Sequence, residues 1–135
     1  MFFLAGAALF GLLGVAHAVL TLRDLHVPRS FTPTDENLRR AMAEAPLRLA
    51  PQTTIWNAWL GFNLSHSLGL LIFATVFGGL ALRDFGMVAE NLFLRLGAVV
   101  VGAIYLVLAL RFWFWVPAAF SAVGTLCFVV SALSD

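Results

Sequence analysis

Long apolar runs and short polar breaks alternate along this chain. From Phe2 to Leu22 no side chain is charged. Three further runs follow, Ile55 to Leu82, Leu92 to Leu110 and about Trp115 to Leu133, and Arg95 is the only charge inside them. A helix needs roughly 20 mainly apolar residues to cross the hydrocarbon core of a bilayer. The pattern therefore predicts an all-α fold: a single membrane domain over 1–135, built as an antiparallel four-helix transmembrane bundle.

The one long polar segment, Arg23 to Thr54, has a periodicity of its own. Leu38, Ala41, Met42 and Ala45 recur at i, i+3, i+4 and i+7, while Glu36, Arg40 and Glu44 form i, i+4 pairs on another face. Thr32-Pro33-Thr34-Asp35 reads as an N-cap followed by Pro at the first helical position. This predicts a short amphipathic helix over 33–45, stopped by Pro46, lying along the membrane surface or capping the bundle. A plain solvated connector is the simpler alternative. Proline restriction keeps the flanks 25–31 and 46–51 extended.

The second run is the natural centre of the bundle. Asn63, His66 and Ser67 share one helical face. Gly61, Ser65 and Gly69 recur every fourth residue, the small-xxx-small spacing that lets helices approach closely in lipid. Ala7, Gly11, Gly14 and Ala18 make a comparable stripe on the first run. Trp56 and Trp59 stand at the mouth of the second span, as interfacial tryptophans do. Arg83-Asp84-Phe85-Gly86 reads as a short turn. Arg111-Phe112-Trp113-Phe114-Trp115 reads as an aromatic interface anchor or a contact for a partner or lipid. Arg95, one turn into the third span, either snorkels or pairs with Asp84 or Glu90.

Composition supports this reading. The chain is 61% hydrophobic and 11% charged, against roughly half and about a quarter in soluble domains. Mean hydropathy is +0.96. There are eight arginines and no lysine, and a net charge of +1 gives no reason to expect a nucleic-acid partner. Cys127 is the single cysteine, so no intrachain disulfide forms. Ala16-His17-Ala18 has the form of a signal-peptide cleavage site, but a basic n-region is missing and the first run is read as an uncleaved helix. Arg23, Arg29, Arg39, Arg40, Arg48 and Arg111 fall on one side of the membrane, Arg83 and Arg95 on the other. The 23–54 loop is therefore expected in the cytoplasm, with both termini outside.

Polar groups inside spans are costly and mark function or structure. The candidates are His17, Asn63, Ser65, His66, Ser67, Thr75 and Tyr105. Two histidines on a haem iron are one reading. At 1.5 Å per residue, however, His17 and His66 should differ by ~8 Å in depth, which does not suit two axial ligands. Asn63 is nearer in level to His17, so an interhelical hydrogen bond between them is favoured, with ligand, lipid or quinone contact as the alternative. Two histidines and one cysteine without a carboxylate do not make a zinc or iron site. No carboxylate orients His66 for nucleophilic catalysis, and no phosphate loop occurs. Repeats or broken helices of a transporter are lacking, apart from Gly78-Gly79.

The stretches His17-Ala18-Val19-Leu20-Thr21-Leu22-Arg23-Asp24-Leu25, Phe31-Thr32-Pro33 and Thr53 to Gly69 resemble an uncharacterised family of small bacterial four-helix integral membrane proteins. The resemblance covers the first half of the chain. It implies a bacterial inner-membrane protein whose first two spans and loop form one unit, and it carries no catalytic residue. The leading expectation is a non-catalytic accessory subunit within a larger membrane complex, with Trp56, Trp59, Arg111, Trp113 and Trp115 contacting partners or lipid. The alternative is a small-molecule site, with a quinone, haem or other tetrapyrrole held by His17, Asn63, His66 and Ser67. A lipid-modifying enzyme or small transporter is a third and weaker reading.

Overall fold

The computed structural model describes Met1–Ser134 and is helical throughout: α1 Phe2–Asp24, α2 Glu36–Glu44, α3 Ile55–Arg83, α4 Phe85–Glu90, α5 Leu92–Phe112 and α6 Trp115–Ser134. α1, α3, α5 and α6 are long and apolar enough to cross a membrane. Among the described residues the sole β feature is an isolated antiparallel bridge between Pro46 and Thr54.

The chain forms two compact units, and α1 and α3 each contribute to both. One unit comprises Met1–Leu13 and the chain from Leu70 onward; the other is Gly14–Gly69. The first draws its core from α1, α3, α4, α5 and α6. Its centre is aromatic: Phe10 meets Phe73 edge-on at 5.1 Å and stacks on Phe128 at 5.9 Å, and Phe3 meets Phe128 at 5.0 Å. In lipid the driving force is close van der Waals contact rather than exclusion of water, so missing side chains matter as much as large ones. A Cβ on Gly6 would lie 2.9 Å from the Gly124 carbonyl oxygen, and one on Gly124 would lie 2.8 Å from the Phe10 ring, so α1 and α6 meet at two glycines. The expected stripe on α1 packs on α3, with Gly11 against Ala74 and Ala7 against Gly78. Ser121, Thr125, Phe128 and Ser131 form the buried face of α6.

The turn expected at Arg83 is instead the start of a short capped helix. Asp84 accepts from the Met87 N–H at 3.1 Å, α4 follows, and Val88 is buried. Asn91 then caps α5 through the Leu94 N–H at 3.2 Å. Arg95 pairs with neither Asp84 nor Glu90. Its Nη1 donates to the Ala132 carbonyl at 3.3 Å, placing a cation on the last turn of α6, where backbone carbonyls lack helical partners.

In the second unit, α2 begins three residues later than expected. Asp35, not Thr32, is the N-cap, accepting from the Asn37 N–H at 2.8 Å, and Ala45 is the C-cap. Thr32 is diverted because its hydroxyl donates to Asp24 at 3.4 Å. Glu36 is held by Arg39 at 2.6 Å and Arg40 at 3.4 Å. The Gly61-Ser65-Gly69 stripe does not make the close internal approach its spacing suggests. Gly61 and Ser65 are exposed, and a Cβ on Gly61 would meet nothing within 4 Å. The internal contacts of α3 in this unit lie on the Trp56-Leu60-Asn63-Ser67 face, which is buried.

Candidate functional site

The buried polar groups of the Gly14–Gly69 unit form one connected assembly. His17 Nε2 and Asn63 Oδ1 are 3.0 Å apart. The Asn63 amide nitrogen donates to the Trp59 carbonyl at 2.8 Å, which fixes the amide so that its oxygen faces His17. An oxygen acceptor requires a donor opposite, so the His17 proton sits on Nε2. Asn63 is 0% exposed, and the hydrogen bond expected from the depths of the two residues is present. Two hydroxyls beside this pair bond to their own helices: Ser67 to the Asn63 carbonyl at 2.9 Å, and Thr21 to the His17 carbonyl at 2.8 Å. In lipid such back-bonding satisfies a hydroxyl without a second helix.

The His17 and His66 rings are 5.1 Å apart, so the level difference expected from helix lengths is absent. Two effects close it. α1 continues past Leu22 to Asp24, which moves its boundary by about 3 Å. Side chains also tilt toward the N-terminus of their own helix. Because the chain enters the loop from α1 and leaves it into α3, the two tilts bring the rings together. An iron between them still does not fit. Two trans metal–nitrogen bonds of about 2 Å, as in a haem with both imidazoles axial, would hold the ring centres about 6 Å apart, and the His17 Nε2 is already engaged by Asn63. Among the described residues no group of three or more His, Cys, Asp or Glu side chains is placed to hold a metal ion.

The loop after α1 closes over His17 through Phe31. Its ring stacks on the imidazole at 4.5 Å. Its N–H donates to Asp24 at 2.6 Å, and its carbonyl accepts from the Trp59 indole at 2.7 Å. Asp24 is the hub. At 1% exposure it accepts from the Arg29 N–H at 2.9 Å, the Ser30 N–H at 2.9 Å and the Phe31 N–H, as well as from Thr32. All four partners donate, which is the complement of an acceptor-only carboxylate. Ser30, Phe31, Thr32 and Pro33 line an open groove of about 330 Å³ with Met42 and Trp59.

Of the candidate residues, His17, Asn63, His66 and Ser67 come together in this unit. Ser65 is exposed and bonds to the Phe62 carbonyl, whereas Thr75 and Tyr105 belong to the other unit, Tyr105 against Phe10 and Phe73. Trp56 is 9% exposed and therefore packs inside rather than at an interface, and the Trp59 indole N–H is engaged by Phe31. Trp113 is half-buried, while Arg111 and Trp115 are exposed, Trp115 at 76%, with the Arg111 guanidinium 5.8 Å from the Phe112 ring. Asp24, Thr21 and Phe31 were not among the candidates. The available signal was an aspartate at a helix end followed by a loop rich in Ser, Thr and Pro, the composition that wraps backbone N–H groups around a carboxylate.

The chain belongs to the class of all-helical proteins with four helices able to span a membrane. No protein-family model matches it, and comparisons with curated proteins and with solved structures find no match.

Proposed function

We propose that this protein is a non-catalytic integral membrane subunit that packs against a larger protein partner and lipid. One observation carries the reading: the polar side chains buried in the Gly14–Gly69 unit bond to one another, to their own helices or to the loop backbone. Groups arranged in this way rigidify a unit rather than process a substrate. The partner-facing surface in this reading is the aromatic turn Arg111 to Trp115, exposed where a span begins. The arginine distribution supports a bacterial inner-membrane orientation with the 23–54 loop in the cytoplasm and both termini outside. Photo-crosslinking from position 114 in cells tests the reading. A discrete adduct to one membrane protein, lost when Trp113 and Trp115 are both replaced by serine, is the expected result. Adducts to lipid alone would refute it.

A second reading has its own observation. His66 is half-buried and continues a ring series on α3, with Trp59 to Phe62 at 6.3 Å and Phe62 to His66 at 6.2 Å, both nearly parallel. A flat, membrane-soluble quinone would suit such a face. Solvent extraction of the purified protein, followed by chromatography for quinones, tests it: stoichiometric quinone supports this reading, and none removes it.

A further inference from the structure

Going beyond the subunit reading, we infer that the 23–54 connection carries a binding surface for anionic phospholipid headgroups of the leaflet on which it lies. The first observation is the placement of charge. The segment holds Arg23, Arg29, Arg39, Arg40 and Arg48 against Asp24, Asp35, Glu36 and Glu44. The acids are largely committed: Asp24 faces loop N–H groups in the interior, Asp35 caps α2, and Glu36 is shared by Arg39 and Arg40. Arg23, Arg29 and Arg48 are exposed and, among the described residues, form no ion pair.

The second observation is the apolar surface beside those arginines. Leu25, Val27 and Leu49 are exposed, Leu49 at 97%. Leu49 is not on a loose strand. Its turn is closed by the Pro46–Thr54 bridge, by the Leu47 N–H to the Thr53 carbonyl at 3.1 Å and by the Ala50 N–H to the Leu47 carbonyl at 3.2 Å. A fixed turn thus presents a leucine beside Arg48, six residues before α3 begins at Ile55. Arg23 lies in the last turn of α1. Where a span ends or begins, the surroundings are headgroups above and acyl chains below. A guanidinium grips a phosphate with paired donors, and an adjacent leucine enters the acyl boundary. Unpartnered arginines with few free acids favour lipids of net negative charge over zwitterionic ones.

The test uses the full chain in nanodiscs of equal phosphatidylglycerol and phosphatidylcholine, with retained lipids counted by native mass spectrometry. Phosphatidylglycerol should be retained severalfold over phosphatidylcholine, and each of R29Q and R48Q should lower that ratio by about fivefold. R83Q, at the far end of α3 from this connection, should leave the ratio unchanged. Helix content by circular dichroism confirms that each variant folds; the replaced side chains are exposed and, among the described residues, form no ion pair. Equal retention of the two lipids by the unaltered protein overturns the inference. So does a preference that survives R23Q/R29Q/R48Q, or one that falls as far in R83Q.

Discussion

Replacing Asp24 with asparagine should open the loop that covers His17. Oδ1 accepts from Arg29 and Ser30, and Oδ2 from Ser30, Phe31 and Thr32. An asparagine has one acceptor oxygen, so whichever position receives the amide nitrogen turns a donor onto donors. At least one backbone N–H is then left without a partner, and the remaining bonds lose their charge. Hydrogen bonds to charged groups contribute about 1.5–3 kcal/mol each, so the local cost is about 2–4 kcal/mol. The assay is hydrogen exchange on the full chain in nanodiscs, read on peptides covering 25–34. Because 1.36 kcal/mol is tenfold in an equilibrium, exchange there should quicken about 30-fold or more in D24N. Peptides from α5 should not change. Unaltered exchange across 25–34 would refute the role of Asp24 as the hub of this loop.

Two glycines should respond in opposite ways. Gly6→Val places a side chain against the Gly124 backbone oxygen and should cost about 1–3 kcal/mol in thermal unfolding in detergent. Gly61→Ala meets open space on a helix and should be neutral or stabilising by up to about 1 kcal/mol. The Arg39 hydrogen bond lowers the Glu36 carboxyl from 4.5 to about 2. Its support for α2 is therefore present above the ordinary value and is lost as pH falls from 4.5 toward about 2. Carboxyl carbon NMR should find that low midpoint and should find it raised toward 4.5 in R39Q; a native midpoint near 4.5 would contradict the pair.

Length and apolarity made the four long helices legible, because lipid admits few alternatives to a helix. The observed ends differ from the expected ones by one or two residues, as at Asp24, Arg83, Phe112 and Ser134. The His17–Asn63 bond was legible because depth along two antiparallel helices is simple arithmetic. The proximity of the two imidazoles was not, since it depends on side-chain tilt as well as rise per residue. The start of α2 was misplaced because two caps were available three residues apart, and Asp24, distant in the helix before, recruited Thr32. Trp56 carries the residue type of an interface anchor, yet it lies on the same helical face as Leu60, Asn63 and Ser67 and is buried with them. Spacing alone also cannot say whether Gly61-Ser65-Gly69 faces inward, whereas at Gly6 and Gly124 the partner is a specific backbone atom that no periodicity reveals.

The most direct measurement is a double-mutant cycle on His17 and Asn63, using H17F, N63L and the pair, with unfolding free energy read in bicelles. If the buried polar groups of this unit exist to hold each other, the two side chains should be coupled by about 0.6–1.7 kcal/mol, and the double variant should lose less than the sum of the singles. Strictly additive losses would contradict that, leaving the imidazole and the amide as neighbours that do not support one another.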